Sequence, residues 1–594
     1  MADSQASSSA NPTSARPRWK RVLRCVGWMI VVLYFVFGSL VIAGRWFFTT
    51  QIDRYRDDVS QWVSQAMGID VHIDNLHGGF DRFWPTLTLD NVTLSQPNHP
   101  VSLTLPNVYA RFSWASLWSG APQFELLQIN QPSLTIRRLD KTHFEIAGFT
   151  FEFDPLLQSK SSSTQQPLLE WVLSQKRIQL RDGSVHYHDE TASTQETIDL
   201  NAIQMVFEKR LLAWRFGLAG TRLGREQPEH FQLALHSKPP IFPTRDPFKW
   251  ETEVYLKNTQ TDVAELLQKL PLPHIPVQLS SGMGATEMWM NFTQGKLNRW
   301  IADVDLRNVQ LQWGSNRPPL SLPRAYSRIH YDQSFDKNAT SQPSSERLSL
   351  QNLVLQEPQH LHRARLISVL AEHTQEGTRY QIEADQTDLN LLENVIPSLP
   401  LEPELISTLS ALQMTGDVRH LMLKIPAQAT NWHQYTLEGI VTDLAFRNTM
   451  APWPSFQGLS LELKTPTPGT FTGNVSVSKE GTLRFPGVFE RDDIALTGLT
   501  ATFQLALKPE VSLDVPQFMV ENNEVALRGK AHWVANTEHP AGTLQLTGQI
   551  LRAQATQVPY YLPLSLGEDL LKYLHAAIQA GELSTGRFDV RGPL

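Results

Sequence analysis

Apolar and polar residues alternate along most of the chain after residue 68. A period of two places apolar side chains on one face of a strand and polar side chains on the other. Half-buried antiparallel strands show this pattern, whereas buried parallel strands are continuously apolar. The sequence therefore predicts a mainly β body of antiparallel strands. The clearest alternating sets are Leu87 and Leu89; Val101, Leu103 and Leu105; Phe231, Leu233 and Leu235; Phe503, Leu505 and Leu507; Val511, Leu513 and Val515; Leu544 and Leu546.

The N-terminal part of the chain has a different pattern, a continuous apolar run. Residues 25–44 carry no charge, and about 20 helical residues cross a hydrocarbon layer of roughly 30 Å. Five basic residues precede this run and only Arg45 follows it directly, so we expect a membrane-spanning helix with a cytoplasmic N-terminus. The five residues are Arg16, Arg18, Lys20, Arg21 and Arg24.

Two other interpretations of the apolar run remain open. Val41 and Ala43 would form a weak cleavage site for a signal peptide, and a buried core helix is the second alternative. The length of the run and the bulky Arg45 and Trp46 that follow it favour a retained membrane helix.

Residues 51–67 show helical spacing of apolar positions, with charged residues between them. The sequence predicts an amphipathic helix that ends near Gly68. Such a helix either closes one end of a β body or lies on the membrane surface, and we favour the first. Its apolar positions are Ile52, Tyr55, Val59, Trp62, Val63 and Ala66.

Long helices that could cover the apolar face of the sheet are scarce. That face must fold on itself, pack against a second sheet or bind an apolar ligand. An internal repeat adds to this picture, because Thr261-Asp262 and Thr387-Asp388 are each followed by a leucine pair and two prolines, and a looser copy starts at Gln554. Repeats of this kind predict a body that lengthens along one axis.

Composition and motifs provide no sign of catalysis. The net charge of −7 argues against a nucleic-acid partner, and the single cysteine, Cys25, excludes an intramolecular disulfide. His186 and His188 share a strand face next to Asp189, but nothing nearby completes a convincing ligand set, so a metal site is not favoured. No nucleotide-binding or hydrolase motif occurs. We therefore predict a protein that is not an enzyme and that has no cofactor.

Six short segments carry a resemblance when they are taken in order: residues 68–71 (GIDV), 84–87 (WPTL) and 126–134 (LLQINQPSL), then 287–290 (EMWM), 435–439 (YTLEG) and 561–563 (YLP). Each motif is a strand or turn pattern, and their shared order carries the resemblance. The first three resemble the start of AsmA-like proteins, and the later three are similar to the large YhdP-type members of that family.

The resemblance implies a bridge-like lipid-transfer protein of a Gram-negative envelope. Its expected fold is an elongated, strongly curved antiparallel β-sheet groove (a β-taco) with short capping helices, after the transmembrane helix. Its expected role is to carry phospholipids from the inner membrane toward the outer membrane and so to support outer-membrane integrity. Outer-membrane or envelope proteins are the partners expected at the C-terminal end. An anchored scaffold or assembly factor with closed β-sandwich domains is the alternative.

The expected organisation has four parts. They are a basic cytoplasmic tail (1–24), the transmembrane helix (25–44), an AsmA-like region with its cap helix (45–160) and a repetitive periplasmic groove (161–594). YhdP-type proteins continue beyond such a point, so the resemblance also implies a C-terminal truncation. We expect the groove to be lined by strand residues, although a dry sandwich core would use the same ones: Phe503, Leu505, Leu507, Val511, Leu513, Val515, Leu544 and Leu546.

Overall fold

The structure is a computed structural model, and it divides into two compact units, residues 1–228 and 229–594. Within them the structure describes residues 18–95, 102–114, 116, 122–140, 143–146, 149–152, 171, 174–191, 197–210, 213–223, 228–239, 250–264, 277–313, 320–335, 343–358, 360–395, 401–446, 455–508, 510–536 and 542–593.

The described helices are one long N-terminal helix and a few short ones. The long helix contains the predicted membrane segment, and Leu23–Phe47 within it is long and apolar enough to cross a membrane. Among the residues that the structure describes, no part of its apolar window is buried. The helices are α1 (Arg18–Thr50), α2 (Arg56–Met67), α3 (Leu389–Val395), α4 (Pro403–Ala411) and α5 (Glu568–Ala577), and 3-10 turns cover Ile52–Tyr55, Trp432–Gln434, Ala555–Tyr561 and Leu564–Leu566.

Helix α2 is the predicted amphipathic helix, and it caps the first sheet. Gly68 ends it with a φ of 70°, a left-handed conformation that glycine adopts without strain. Val59 and Val63 pack against the buried core of the first unit. The Val71 N–H donates to Ser64 Oγ at 2.9 Å, which ties the helix to the sheet edge. The apolar side of α2 thus lies on the sheet.

The first unit contains a sheet in which β1, β2, β3, β4, β8, β9 and β10 are neighbours in that order. Its apolar face forms one buried cluster that also contacts Phe47 at the end of α1. The strands are β1 (Asp70–Asp81), β2 (Trp84–Ser95), β3 (Ser102–Phe112), β4 (Phe124–Asn130), β5 (Ser133–Arg138), β6 (His143–Ile146), β7 (Phe149–Glu152), β8 (Arg177–Asp189), β9 (Thr197–Arg210) and β10 (Ala213–Leu223).

The first unit departs from the antiparallel pattern at one strand. Strand β8 pairs in parallel with β4 and with β5, which follow each other along it. A parallel pair requires a crossover connection rather than a tight turn, and the chain between β5 and β8 provides the length for one. Gln175, which is fully buried, holds the start of β8 in place because its Oε1 accepts the Phe124 N–H at 2.8 Å. The prediction of antiparallel pairing is therefore wrong for these two pairs.

The second unit contains a longer run of strands. They are β11 (Pro228–Lys238), β12 (Glu251–Asp262), β13 (Val277–Thr293), β14 (Lys296–Trp313), β15 (Leu320–Ser334), β16 (Ser345–Gln356), β17 (Leu361–Thr374), β18 (Gly377–Asp388), β19 (Met414–Ile425), β20 (Thr436–Phe446), β21 (Ser455–Thr467), β22 (Thr470–Arg484), β23 (Asp493–Leu496), β24 (Gly498–Ala506), β25 (Ser512–Glu521), β26 (Val525–Val534), β27 (Thr543–Gln554), β28 (Glu582–Leu583) and β29 (Gly586–Pro593).

These strands form a curved, open antiparallel sheet. Each strand from β11 to β22 pairs with the next one, and the order continues through β24, β25, β26 and β27 to β29. Among the described residues β11 and β29 do not pair with each other, so the sheet does not close. The predicted fold class, mainly β with one N-terminal apolar helix and short helices, is confirmed.

β-bulges interrupt many of the strands and shift the apolar pattern by one residue. Asn308 (φ 52°) lies between Leu306 and Val309, and both of those side chains are buried on the same face. A left-handed residue in a bulge bends its strand and increases its twist. Comparable left-handed residues lie in neighbouring strands, so the bends add up to sheet curvature. They are Asn352, Gln386, Gly416, Asp443 and Gly458.

Helical excursions follow the two Thr-Asp pairs of the sequence repeat. Asp388 Oδ1 accepts the Leu391 N–H at 2.7 Å at the start of α3. Asp262 Oδ1 likewise accepts the Ala264 N–H at 3.0 Å where β12 ends. Leu266, Leu267 and the four prolines of the two repeats lie outside the described residues. The repeated Asp therefore has the same helix-starting contact in both copies.

Candidate functional site

The apolar face of the second sheet continues across its C-terminal strands as rows of opposed side chains. Residues that lie opposite each other in an antiparallel pair place their side chains on the same face. One row crosses from β22 to β27 and a second runs from β25 to β29. The first contains Phe471, Leu505, Leu513, Trp533 and Leu544, and the second contains Val515, Ala531, Leu546 and Val590.

The face has an enclosed part and an accessible part. Over β13 to β21 it forms one buried cluster, in which Leu353 is 7% exposed, and Leu391 of α3 covers it. Val475 and Val477 of β22 pack at the margin of that cluster. Beyond β24 the side chains on the same face are half-buried or exposed, and Val590 is 44% exposed. The apolar surface is thus continuous, but the described residues enclose only part of it.

Six of the eight residues predicted to line a groove lie together on this accessible part. Leu505 is opposite Leu513, and Leu544 and Leu546 follow two strands further on. Leu507 and Val511 lie just outside β24 and β25, in the connection between them. Phe503, Leu505, Leu513, Val515, Leu544 and Leu546 belong to none of the buried clusters formed by the described residues.

Three phenylalanines on this face lie over glycines of the neighbouring strand. Phe503 is opposite Gly473, Phe518 opposite Gly529, and Phe588 opposite Gly548. A Cβ at Gly529 would lie 2.8 Å from the Phe518 ring, so the ring occupies the space that a side chain would need. Each phenyl ring therefore spans the adjacent strand and smooths the apolar surface.

Two residues of the face, Trp533 and Phe518, are not apparent from the sequence pattern. Trp533 is not apparent because the preceding positions on its face of β26 are Gly529 and Ala531, and small residues are a weak sign of an apolar strand face. Phe518 was missed because a bulge between Val515 and Phe518 shifts the period. The proline at 516, within a strand, was the available signal for that bulge.

The opposite face of the same sheet is charged. Arg328 donates two hydrogen bonds of 2.6 Å to Asp303, and Arg324 donates two of 2.8 and 2.7 Å to Asp305. These guanidinium hydrogen bonds lower the pKa of both carboxyl groups below the ordinary value of 3.8. The two acids alternate along β14 with Val304 of the enclosed core. The sheet therefore separates an apolar surface from a hydrated one.

A small polar recess lies beside β23, and its charges are already paired. Arg491 contacts Glu524 at 3.1 Å and lies 3.9 Å from the centre of the Tyr560 ring. The Tyr561 hydroxyl donates to Glu524 at 2.8 Å. Burial is the main cause that raises the pKa of Tyr561. These contacts hold the 3-10 turn Ala555–Tyr561 against the sheet. The Arg491 charge is already paired with Glu524, so it is not available to bind a ligand.

The histidines of β8 do not form a metal site with other described residues. His186 Nδ1 is 2.7 Å from Asp199, and His188 Nδ1 is 3.3 Å from the Thr197 hydroxyl. No group of three or more His, Cys, Asp or Glu residues is placed to hold a metal ion in the described part of the chain. The accessible apolar face is therefore the best candidate for a functional surface.

Comparison with known families agrees with this architecture. No curated protein matches the chain. The sequence model of the family described as YhdP protein matches residues 18–594. That range includes α1, both sheets and the accessible apolar face. The chain therefore belongs to the YhdP protein family.

Proposed function

We propose that this protein carries phospholipids along the apolar face of its second sheet, from the inner membrane toward the outer membrane. Family membership and the apolar helix α1 support an association with a membrane. The role is non-enzymatic and requires no cofactor. The groove residues in this proposal are the eight predicted ones, joined by Trp533 and Phe518.

The observation that carries the proposal is an apolar surface that is continuous with a buried core but not covered. The row from Phe471 to Leu544 crosses five strands, which is four inter-strand spacings or roughly 19 Å. One leaflet of a bilayer contributes about 15 Å of hydrocarbon. A single acyl chain therefore fits along such a row.

The energetics favour occupation of this surface by acyl chains. Each CH₂ group that leaves water for an apolar surface gains about 0.8 kcal/mol. A lipid that moves from row to row keeps its chains on apolar side chains, while its headgroup stays hydrated. Transfer then needs no covalent step, because each position resembles the next in chemistry.

The proposed orientation places the N-terminus in the cytoplasm and both units in the periplasm. Its support is the excess of basic residues before α1. The expected division at residues 45–160 and 161–594 remains part of this proposal. Outer-membrane or envelope proteins are the proposed partners at the C-terminal end.

Photocrosslinking from the two faces of one strand tests the proposal. A benzophenone amino acid at Leu505 or Leu513 is expected to crosslink phospholipid in cells. The matched controls are Gln504 and Asp514, which are exposed neighbours on the opposite face of the same strands. Phospholipid adducts at the first pair and not at the second would support carriage along the apolar face.

An anchored scaffold with closed cores is the second candidate function. The enclosed cluster over β13 to β21 favours it, because α3 already covers that part of the face. A scaffold predicts that Leu505 and Leu513 crosslink only to protein. That outcome would refute lipid carriage over the accessible strands.

A further inference from the structure

The two-residue turn between β1 and β2 does not have ordinary turn chemistry. Arg82 has a φ of 55°, a conformation that favours glycine or asparagine, and Phe83 is 65% exposed. An exposed phenyl ring and a strained arginine both cost free energy in water. A sequence that departs from local rules in this way indicates a functional surface.

The turn lies beside the membrane-spanning helix. A Cβ placed at Gly44 of α1 would lie 3.9 Å from the Phe80 ring, and Gly44 is within the apolar stretch Leu23–Phe47. Phe80 is three residues before Phe83 along the chain. The end of the β1–β2 hairpin is therefore at the level where α1 enters the membrane.

The direction of the hairpin follows from a second contact. Arg56 at the start of α2 donates to the Asp74 carbonyl at 3.0 Å, so Asp74 lies near α2 and Phe80 near α1. Between these two contacts β1 extends over six residues (74–80), about 20 Å. The mostly helical chain extends over twelve residues (44–56), about 18 Å, so the two stretches have similar lengths. Strand β1 and α1 run side by side, and the turn points toward the apolar middle of α1.

Other exposed aromatic and basic residues lie at the C-terminal end of α1 and in the 3-10 turn that follows it. Trp46 is 61% exposed and Tyr55 is 45% exposed, and the Tyr55 ring is 5.5 Å from that of Phe47. Arg45 precedes Trp46 and is also exposed. Aromatic rings favour the boundary between headgroups and acyl chains, and arginine extends from it to lipid phosphates.

We propose that the Arg82-Phe83 turn is a second membrane contact, inserted into the headgroup layer of the leaflet where α1 emerges. Phe83 enters the acyl boundary, and Arg82 pairs with lipid phosphate. The sheet of the first unit is then held against the membrane by two points instead of one. This inference rests on membrane anchoring by α1 and is independent of lipid carriage along the second sheet.

Depth-dependent fluorescence quenching tests the contact in the full chain. Cys25 is the only cysteine, so a Cys25→Ser background accepts a single label at Phe83→Cys. The protein is labelled with a polarity-sensitive fluorophore and reconstituted into vesicles of phosphatidylethanolamine and phosphatidylglycerol. Asp70→Cys is the matched control, because Asp70 is exposed at the other end of β1, twelve residues or roughly 40 Å from the first turn residue.

A blue-shifted emission at position 83, and its loss when the vesicles contain nitroxide-labelled lipids, is the expected result. The label at position 70 is expected to keep a water-like emission without quenching. Equal, water-like emission at both positions would overturn the proposal. A blue shift without nitroxide quenching would also overturn it, because it would indicate contact with protein. Arg82→Cys repeats the test if the Phe83 variant does not fold.

Discussion

Leu513 and Leu353 form a matched pair that tests whether the C-terminal part of the apolar face is open. Both are leucines in strands, and both lie on the apolar face of the second sheet. Leu353 is 7% exposed within the closed cluster, whereas Leu513 is half-buried and outside it. Replacement of each by alanine removes the same atoms from two environments that differ in cover.

The expected losses of stability differ because only one site leaves a cavity. Leucine-to-alanine changes in closed cores cost about 2–5 kcal/mol, which includes a cavity term. At Leu513 the side chain is already partly exposed, so only part of the transfer term is lost, about 1 kcal/mol. Since about 1.4 kcal/mol is a tenfold change in an equilibrium, the local opening constants should rise about fivefold at Leu513 and about a hundredfold at Leu353.

Hydrogen–deuterium exchange of the full chain in lipid nanodiscs measures these local openings. Peptides from β25 and β16 report on the two sites in the same sample, so wild-type and variant proteins are compared strand by strand. If Leu513→Ala reduces protection in β25 as much as Leu353→Ala reduces it in β16, the face over β25 is a closed core. That result would refute the open surface on which the proposed function depends.

Two further predictions concern the surfaces on either side of the sheet. Gly548→Ala places a Cβ against the Arg528 carbonyl oxygen and 2.5 Å from the Phe588 ring, so both the neighbouring strand and the ring must shift, and we expect a loss of about 1–3 kcal/mol in exchange protection of β26 and β29. Gly217→Ala, where nothing lies within 4 Å of the added Cβ, is the control and should change little. The lowered pKa values of Asp303 and Asp305 predict a stabilisation that is present above the ordinary value and is lost as the pH falls through the lower folded-state pKa. In thermal unfolding followed by circular dichroism, Asp303→Asn with Asp305→Asn should therefore flatten the decline in stability below about pH 4, and an unchanged acid decline would contradict the assignment.

Much of the local structure follows from the sequence because its causes are local. The membrane helix needs only an uncharged run of sufficient length, and α2 ends at Gly68 because only glycine adopts that left-handed conformation without strain. The face of each strand is set by the period of two, so the six strand residues predicted for the groove do lie on one face. Their role in lipid binding stays a prediction.

The bulges were not predicted, although the sequence contains their signal. Three hexapeptides share one pattern, in which leucine, a polar residue and asparagine are followed by an apolar residue, one variable residue and a second leucine. They are residues 89–94 (LDNVTL), 306–311 (LRNVQL) and 350–355 (LQNLVL). The asparagine is left-handed in each, with φ of 50°, 52° and 51°. A search for strict alternation treats the extra residue as a break between strands, whereas a bulged strand continues with its apolar face unchanged.

Parallel pairing of β8 and the extent of cover over the apolar face were decided by tertiary structure. Leu353 and Leu513 have similar local sequence patterns, yet only Leu353 lies in a closed cluster. The cluster that encloses it also contains Leu391 of α3 and Val263 after β12, which are distant in sequence. Burial depends on which remote segments return to a surface, and the period of a strand contains no information about that. The sequence alone therefore determined that an apolar face exists, and the folded chain determined where that face is left open.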